Sequence, residues 1–337
     1  MLDKQKYIEK VTKMIIPKFL KENDTIGITA CSAGVLEKLE KYELTLQVLK
    51  SNDFQITETP NVRTGGKVSS ASQTRAQELE SLYRNDDVKL IAIARGGDFL
   101  YDMLPYVNYN AIKENPKWIS GSSDPTSLLY IITTFLDIAT IYSPCNMTGL
   151  DVQPLHESYL NYFQIIKGNL VKQTKYPCKE IKPFTDELTL PNKWVNLNGP
   201  VDETGILIGG CIECLKDLIG TCFDHTKHFL EKYKNDGFIW YFDTFSMTSE
   251  DLYKTLLQFQ NASWFKYAKA ILFGPVCFPN TFTDMTYEEA ISASLPNIPV
   301  IFNFDVGHVK PSFTMINGMK AHIISKDSEE SLEYLTQ

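Results

Sequence analysis

Two serines, a histidine and an aspartate stand where this chain could assemble a nucleophile and its base. Ser122-Ser123-Asp124 follows Lys117-Trp118-Ile119-Ser120-Gly121, an apolar run that reads as a short buried strand. Pro125-Thr126-Ser127-Leu128 comes next and opens a helix, with proline in the first turn, where its missing N–H does no harm. A serine at such a turn holds its hydroxyl out of the sheet, and the amides of the new helix point at developing negative charge. The position equally suits a serine that only caps the helix. A serine nucleophile needs a base within hydrogen-bond reach and a third group to orient that base. His156, His225 and His228 fall on helices or their edges in polar surroundings, and His322 sits in a terminal strand without a cue. His308 differs, because Phe304-Asp305-Val306-Gly307-His308 sets it just past an apolar strand, after a glycine. Asp243 closes another apolar strand, Phe238–Phe242, where a carboxylate either caps the helix that follows or orients a histidine.

A rival cluster lies in Cys211, Cys214, Cys222, His225 and His228, which have the residue types of a zinc site. Its spacing fits no standard zinc template, and cysteines at the start of a helix pack well as small apolar residues. No metal and no organic cofactor is expected. Trp194 and the Asn196–Asn198 segment either border a substrate cleft or belong to the core.

These residues must be positioned by an alternation of strands and helices. Thr25–Ala30 and Phe54–Glu58 read as strands, Leu36–Ser51 and Ser72–Tyr83 as helices, and Leu90–Ala94 as a strand buried on both faces. A short helix over Tyr109–Glu114, the Trp118 strand, a Pro125–Leu136 helix and a strand at Thr140–Ser143 complete the first half. Such alternation implies a parallel sheet with helices on both faces, whose sites form at the carboxyl ends of the strands. Arg95-Gly96-Gly97-Asp98 and Gly121–Asp124 both fall at such ends. The stretch 171–199, rich in Pro, Thr, Lys and Asn, reads as a crossing between domains. Beyond it come strands at Gly205–Gly210, Phe238–Phe245 and Ala270–Phe273, and helices at Cys211–Ile219, Ser249–Phe259 and Tyr287–Ser294. Two closing segments, Pro299–Val306 and Phe313–Ile324, read as strands. The expected class is α/β: an N-terminal parallel-sheet domain (21–170, after an extension and entry strand at 1–20) plus a C-terminal α/β or α+β domain (200–337). A length of 337 residues suffices for two such cores. Net charge is −8, which argues against a nucleic-acid partner. No apolar run approaches the ~20 residues that span a bilayer. Seven scattered cysteines and a mixed-charge N-terminus lead us to expect a cytoplasmic protein.

Taken in order, the motifs resemble those of the LD-carboxypeptidases, serine peptidases that include muramoyl-tetrapeptide carboxypeptidase and the microcin-immunity, MccF-like enzymes. The resemblance covers about residues 14–325. It runs through Met14-Ile15-Ile16-Pro17, Asn23-Asp24-Thr25-Ile26-Gly27-Ile28, Ala94-Arg95-Gly96-Gly97, Leu104-Pro105-Tyr106-Val107 and Asn115-Pro116-Lys117. It continues with Gly121-Ser122-Ser123-Asp124-Pro125-Thr126, Leu207-Ile208-Gly209-Gly210, Phe273-Gly274-Pro275 and Gly307-His308. The resemblance implies that Ser123 is the nucleophile, His308 the base and Asp243 the acid. It also implies an oxyanion hole from the Gly97 and Asp124 N–H groups, and a homodimer. Glu22-Asn23 and Cys31 depart from the family's opening pattern, and at the site two positions depart: Asp243 stands where the family has glutamate, and Ser122 where it has an aromatic residue. Arg95, Gly96, Ser122 and Trp194 are the candidate substrate-binding residues. The implied reaction is hydrolysis of a terminal L,D-peptide bond through an acyl-enzyme, as in recycling of cell-wall tetrapeptides. The alternatives are an MccF-like amidase acting on aminoacyl-nucleotide or acyl-sulfamoyl conjugates, and a peptide-binding relative whose catalysis the shorter acid impairs.

Overall fold

A computed structural model describes residues 13–336. The first dozen residues, where the N-terminal extension was expected to begin, lie outside the described residues.

Among the described residues the strands form two main sheets. In the first, Thr140–Tyr142, Trp118–Gly121, Val88–Ile93, Thr25–Thr29 and Gln55–Glu58 lie side by side and parallel. The central strand, Val88–Ile93, is apolar at five of its six positions because helices cover both faces, and all but Lys89 are buried. The second sheet has a parallel centre, Val201–Cys211, Phe238–Asp243, Ala268–Phe273 and Val300–Phe302. Antiparallel strands flank it on both sides.

Thr126–Leu136 joins the two layers. Its sequence, TSLLYIITTFL, is apolar nearly all round, the pattern of a helix with no solvent face, and all but Phe135 is buried. Tyr130 stacks on Trp264 at 5.4 Å and donates to or accepts from Thr226 Oγ1 at 2.8 Å. The Cys211 N–H donates to Thr126 Oγ1 at 2.9 Å, so the start of this helix touches the end of a strand in the other sheet.

Several details depart from the sequence expectation. The segment Phe313–Ile324 is not one strand. Gly318 turns the chain at φ 85°, and the halves separate. Met315–Asn317 pairs antiparallel with Thr140–Tyr142 in the first sheet, whereas Lys320–Lys326 pairs with Val201–Cys211 in the second. The crossing 171–199 carries short strands, including Gln173–Thr174 on Glu329–Tyr334 and Val195–Leu197 on Val300–Phe302. A helix at Glu157–Ile166 is capped by His156, whose Nδ1 accepts the Ser158 N–H at 3.1 Å.

Candidate active site

The Trp118–Gly121 strand and the Thr126–Leu136 helix leave four residues for a sharp turn. Ser123 makes that turn at φ 68°, in the left-handed region that costs an ordinary side chain energy and needs outside support. The support is local. The Ser123 N–H donates to Tyr142 Oη at 3.0 Å, and the Ser123 carbonyl accepts the Thr126 N–H at 2.8 Å. Glycine at 96 lets the neighbouring loop come close, since a Cβ there would stand 3.2 Å from Ser123 Oγ. The Asp124 carboxylate fastens that loop. It accepts the Ser32 hydroxyl at 2.5 Å and the Leu100 N–H at 3.0 Å, and burial raises its affinity for a proton. Among the described residues neither the Gly97 nor the Asp124 N–H has a protein hydrogen-bond partner. Ser122 points its N–H at Asn146 Oδ1, 3.2 Å away.

Asp243 ends the Phe238–Asp243 strand of the second sheet, and His308 meets it from the loop after Val300–Phe302, a strand shorter than the expected Pro299–Val306. Asp243 is wholly buried, and its Oδ2 lies 2.7 Å from His308 Nδ1. The oxygen sits to one side of the direction in which that ring N–H would point. Oδ2 also accepts a short hydrogen bond from the Tyr142 hydroxyl, and Oδ1 accepts the His308 backbone N–H at 3.1 Å. Gly307 permits this approach: it holds φ 110°, and a Cβ there would collide with the Asp243 carboxylate. Burial pushes the His308 imidazole down, but the Asp243 charge and hydrogen bond, helped by Glu213, outweigh it and leave its pKa above the ordinary value. For Asp243, burial pushes upward and is outweighed by His308 and Tyr142, so the carboxyl is held below its usual range. The pair is therefore built to carry a carboxylate beside an imidazole that accepts a proton readily.

Ser122, Tyr142, Asp243 and His308 line one cavity, together with Lys38, Lys41 and Lys310. Lys41 pairs with Asp151 at 2.8 Å and Lys310 with Asp186 at 2.5 Å. Lys38 has no ion-pair partner among the described residues, and burial and the charges of Arg95, Lys41 and Lys310 hold its ammonium below the ordinary value. Phe184 and Phe278, both exposed, form an aromatic lip with ring centroids 6.0 Å apart, and Phe184 stands edge-on to His308 at 6.4 Å.

The structure thus gathers Ser122, Ser123, Asp124, Gly96, Gly97, Asp243 and His308 at the carboxyl ends of strands from both sheets. Two candidates are placed elsewhere. Arg95 spends its guanidinium on Glu37, 3.2 Å away, and on the Gly34 carbonyl. Trp194 is a core residue: it is buried, packs on Phe304 at 4.6 Å and donates its Nε1–H to Asp305 Oδ2 at 3.0 Å. In the Cys/His stretch, His225 stacks on Phe135 at 4.1 Å, and no three His, Cys, Asp or Glu side chains among the described residues are placed to hold a metal ion together. Sequence reading missed Tyr142 and Glu213. Glu213 Oε1 accepts the N–H groups of Phe245, Ser246 and Met247 at 2.9, 3.0 and 3.1 Å, pinning the loop that follows Asp243. Only the position of Tyr142 at a strand end could have drawn attention to it.

Comparison with known proteins adds an independent line. Residues 26–143 match the model of the LD-carboxypeptidase N-terminal domain, and residues 204–323 that of the LD-carboxypeptidase C-terminal domain. The chain is 25% identical to the microcin C7 self-immunity protein MccF of Escherichia coli, over 89% of this chain and 90% of that protein. It is 23% identical to a probable murein peptide carboxypeptidase of Bacillus subtilis, over 94% of each. A solved structure of MccF in complex with aspartyl sulfamoyl adenosine superposes with a TM-score of 0.80 at 22% identity, covering 96% of this chain and 99% of that one. No helix among the described residues is long and apolar enough to cross a membrane.

Proposed function

Because the chain belongs to the LD-carboxypeptidase family, we propose that it is a serine peptidase with a Ser123–His308–Asp243 triad, working in the cytoplasm. The observation that carries this reading is the linkage of the strained Ser123 turn, through Tyr142, to the buried Asp243–His308 pair. Ser123 Oγ attacks the carbonyl of the terminal bond while His308 takes its proton, and Asp243 offsets the imidazolium that forms. The oxyanion is met by the Gly97 and Asp124 N–H groups, a donor pair of which each member is worth ~3–4 kcal/mol in sites of this kind. His308 returns its proton to the leaving amine, and water then releases the acyl group by the same route. A carboxypeptidase must also hold a free carboxylate. Lys38, on the cavity wall without an acid partner, supplies the cation that Arg95, committed to Glu37, does not.

The substrate of this reading is a peptide ending across an L,D bond, as in a cell-wall tetrapeptide. A second reading, an amidase for aminoacyl-nucleotide or acyl-sulfamoyl conjugates, is favoured by the exposed Phe184–Phe278 lip, which offers a face to a planar base. It also draws on the aspartyl sulfamoyl adenosine bound by the structural neighbour. Mass spectrometry of products from muropeptides and from aminoacyl-sulfamoyl adenosines separates the two. In either case Ser123→Ala should abolish product formation and Ser122→Ala retain most of it. A dead Ser122→Ala with an active Ser123→Ala would move the nucleophile by one residue.

A further inference from the structure

The acid of the site is one methylene shorter than the family's glutamate, and its grip on the imidazole is close but out of line. What holds it there is a phenol. Tyr142 ends the Thr140–Tyr142 strand of the first sheet, is fully buried, and presents one hydroxyl to two partners. Its proton goes to Asp243 Oδ2, and its oxygen accepts the Ser123 N–H. Among the described residues no other single atom hydrogen-bonds both the nucleophile's backbone and the acid. We propose that Tyr142 is a positioning residue of the triad, which fixes the carboxylate of Asp243 against His308 and at the same time the left-handed turn of Ser123. The inference rests on the serine-triad reading of the site.

Burial, then the Asp243 charge, keep the Tyr142 hydroxyl protonated, so its direction of donation is set. The phenol and the His308 backbone N–H donate to the two oxygens of Asp243, and the His308 ring nitrogen stands 2.7 Å from Oδ2 but out of line with it. Loss of the phenol has two consequences. Oδ2 becomes free to swing and also more basic, so the imidazolium is held more strongly and the base is neutral only at higher pH. The Ser123 N–H loses its acceptor, and the turn that presents Oγ loosens. Other groups near the carboxylate are Tyr241, Cys211, Cys214 and Cys277, and the charge of Glu213 also acts on His308. All three thiols are pushed above their ordinary value: Cys211 by its bond with Cys214 and by burial, Cys277 by burial, and Cys214 against the lowering bond from Cys211, which burial and the nearby acids outweigh.

The test uses the full chain and a fluorophosphonate that labels active serines, so that it needs no knowledge of the substrate. The labelled peptide identifies Ser123, and the labelling rate is followed against pH. Tyr142→Phe should keep its thermal midpoint within a few degrees, lower the maximal labelling rate about tenfold, as loss of one hydrogen bond to a charged group does, and shift the pH midpoint upward. An unchanged rate and midpoint in folded Tyr142→Phe would overturn the proposal while leaving the triad intact. A parent protein that never labels at Ser123 would overturn the triad and this proposal with it. If Tyr142→Phe fails to fold, fluorotyrosine at position 142 keeps the volume and makes the hydroxyl a stronger donor. Its midpoint should then move downward, and no movement would overturn the proposal.

Discussion

Asp243, wholly buried, accepts two hydrogen bonds and holds its carboxylate 2.7 Å from the His308 ring, and this sets how the base behaves. His308 must be neutral to accept the Ser123 proton, and Asp243 raises its pKa above the ordinary value. Turnover should therefore rise with pH through a midpoint above ~6.5, the value of a free imidazole. Asp243→Asn keeps the volume but removes the charge. It should move the midpoint downward and cut turnover by ~10³–10⁴-fold, as the equivalent change does in other triads. A folded Asp243→Asn protein with normal turnover would remove Asp243 from the reaction. Gly307 is the second residue on which the pair depends. Alanine there adds strain of ~1–3 kcal/mol at φ 110° and sets its methyl against the Asp243 carboxylate. Gly307→Ala should melt at a lower temperature and lose turnover more than tenfold even where it remains folded. If turnover per folded molecule is unchanged, Gly307 does not position the base.

At the scale of elements, Glu213, from the short helix Ile212–Lys216, gathers three N–H groups of the loop after the Phe238–Asp243 strand, whose carbonyls accept in turn from Cys277, Phe278 and Tyr287. That loop carries Phe245, whose ring lies 4.7 Å from the His308 ring. Glu213→Ala should speed amide exchange at Phe245, Ser246 and Met247 and lower stability by ~1–3 kcal/mol, whereas Glu213→Gln should preserve most of the protection. Equal exchange in parent and Glu213→Ala would mean that the bonds from Cys277, Phe278 and Tyr287 suffice to hold the loop. Sequence patterning makes elements legible when their partners are local or their faces uniform. Val88–Ile93 and Phe238–Asp243 announce themselves as apolar runs because both faces are covered. The strands at 173–174 and 195–197 carry no such mark, because they are two or three residues long and are strands only by virtue of partners in 331–332 and 300–302. The site divides the same way. Ser123 and Asp243 stand at strand ends that the sequence displays and His308 in the loop after an apolar strand, whereas Tyr142 acts through a partner 101 positions away and looks like any strand tyrosine. Trp194 misleads for the converse reason: an aromatic in a polar crossing draws attention, but its indole serves the buried Asp305.

The whole molecule is tied together through that same aspartate and through the strand at Met315–Asn317. Asp305 accepts hydrogen bonds from the Tyr176 N–H, the Asn192 side chain and Trp194, so it fixes the 171–199 crossing to the chain that leads into His308. Burial outweighs these donors and pushes its pKa up to about 7. The folded protein thus binds a proton here that the unfolded chain releases near pH ~3.9. Stability from this group is complete below ~3.9 and drains away as pH rises to about 7, at ~1.4 kcal/mol per unit. Asp305→Asn should flatten that slope in denaturant titrations between pH 4.5 and 7, two experimental settings inside the window. An identical slope in the variant would clear Asp305 of the effect. Met315–Asn317 has a different consequence, one that belongs to synthesis. It covers the edge of the first sheet at Thr140–Tyr142, yet lies some 175 residues further along the chain. At a translation rate of ~5–20 residues per second, the nascent first sheet waits roughly ten to thirty-five seconds with that edge open, offering unpaired backbone to any neighbour. A ribosome stalled before residue 315 would hold a nearly finished first sheet whose nucleophile turn, leaning on Tyr142, borders the strand still waiting for its edge partner.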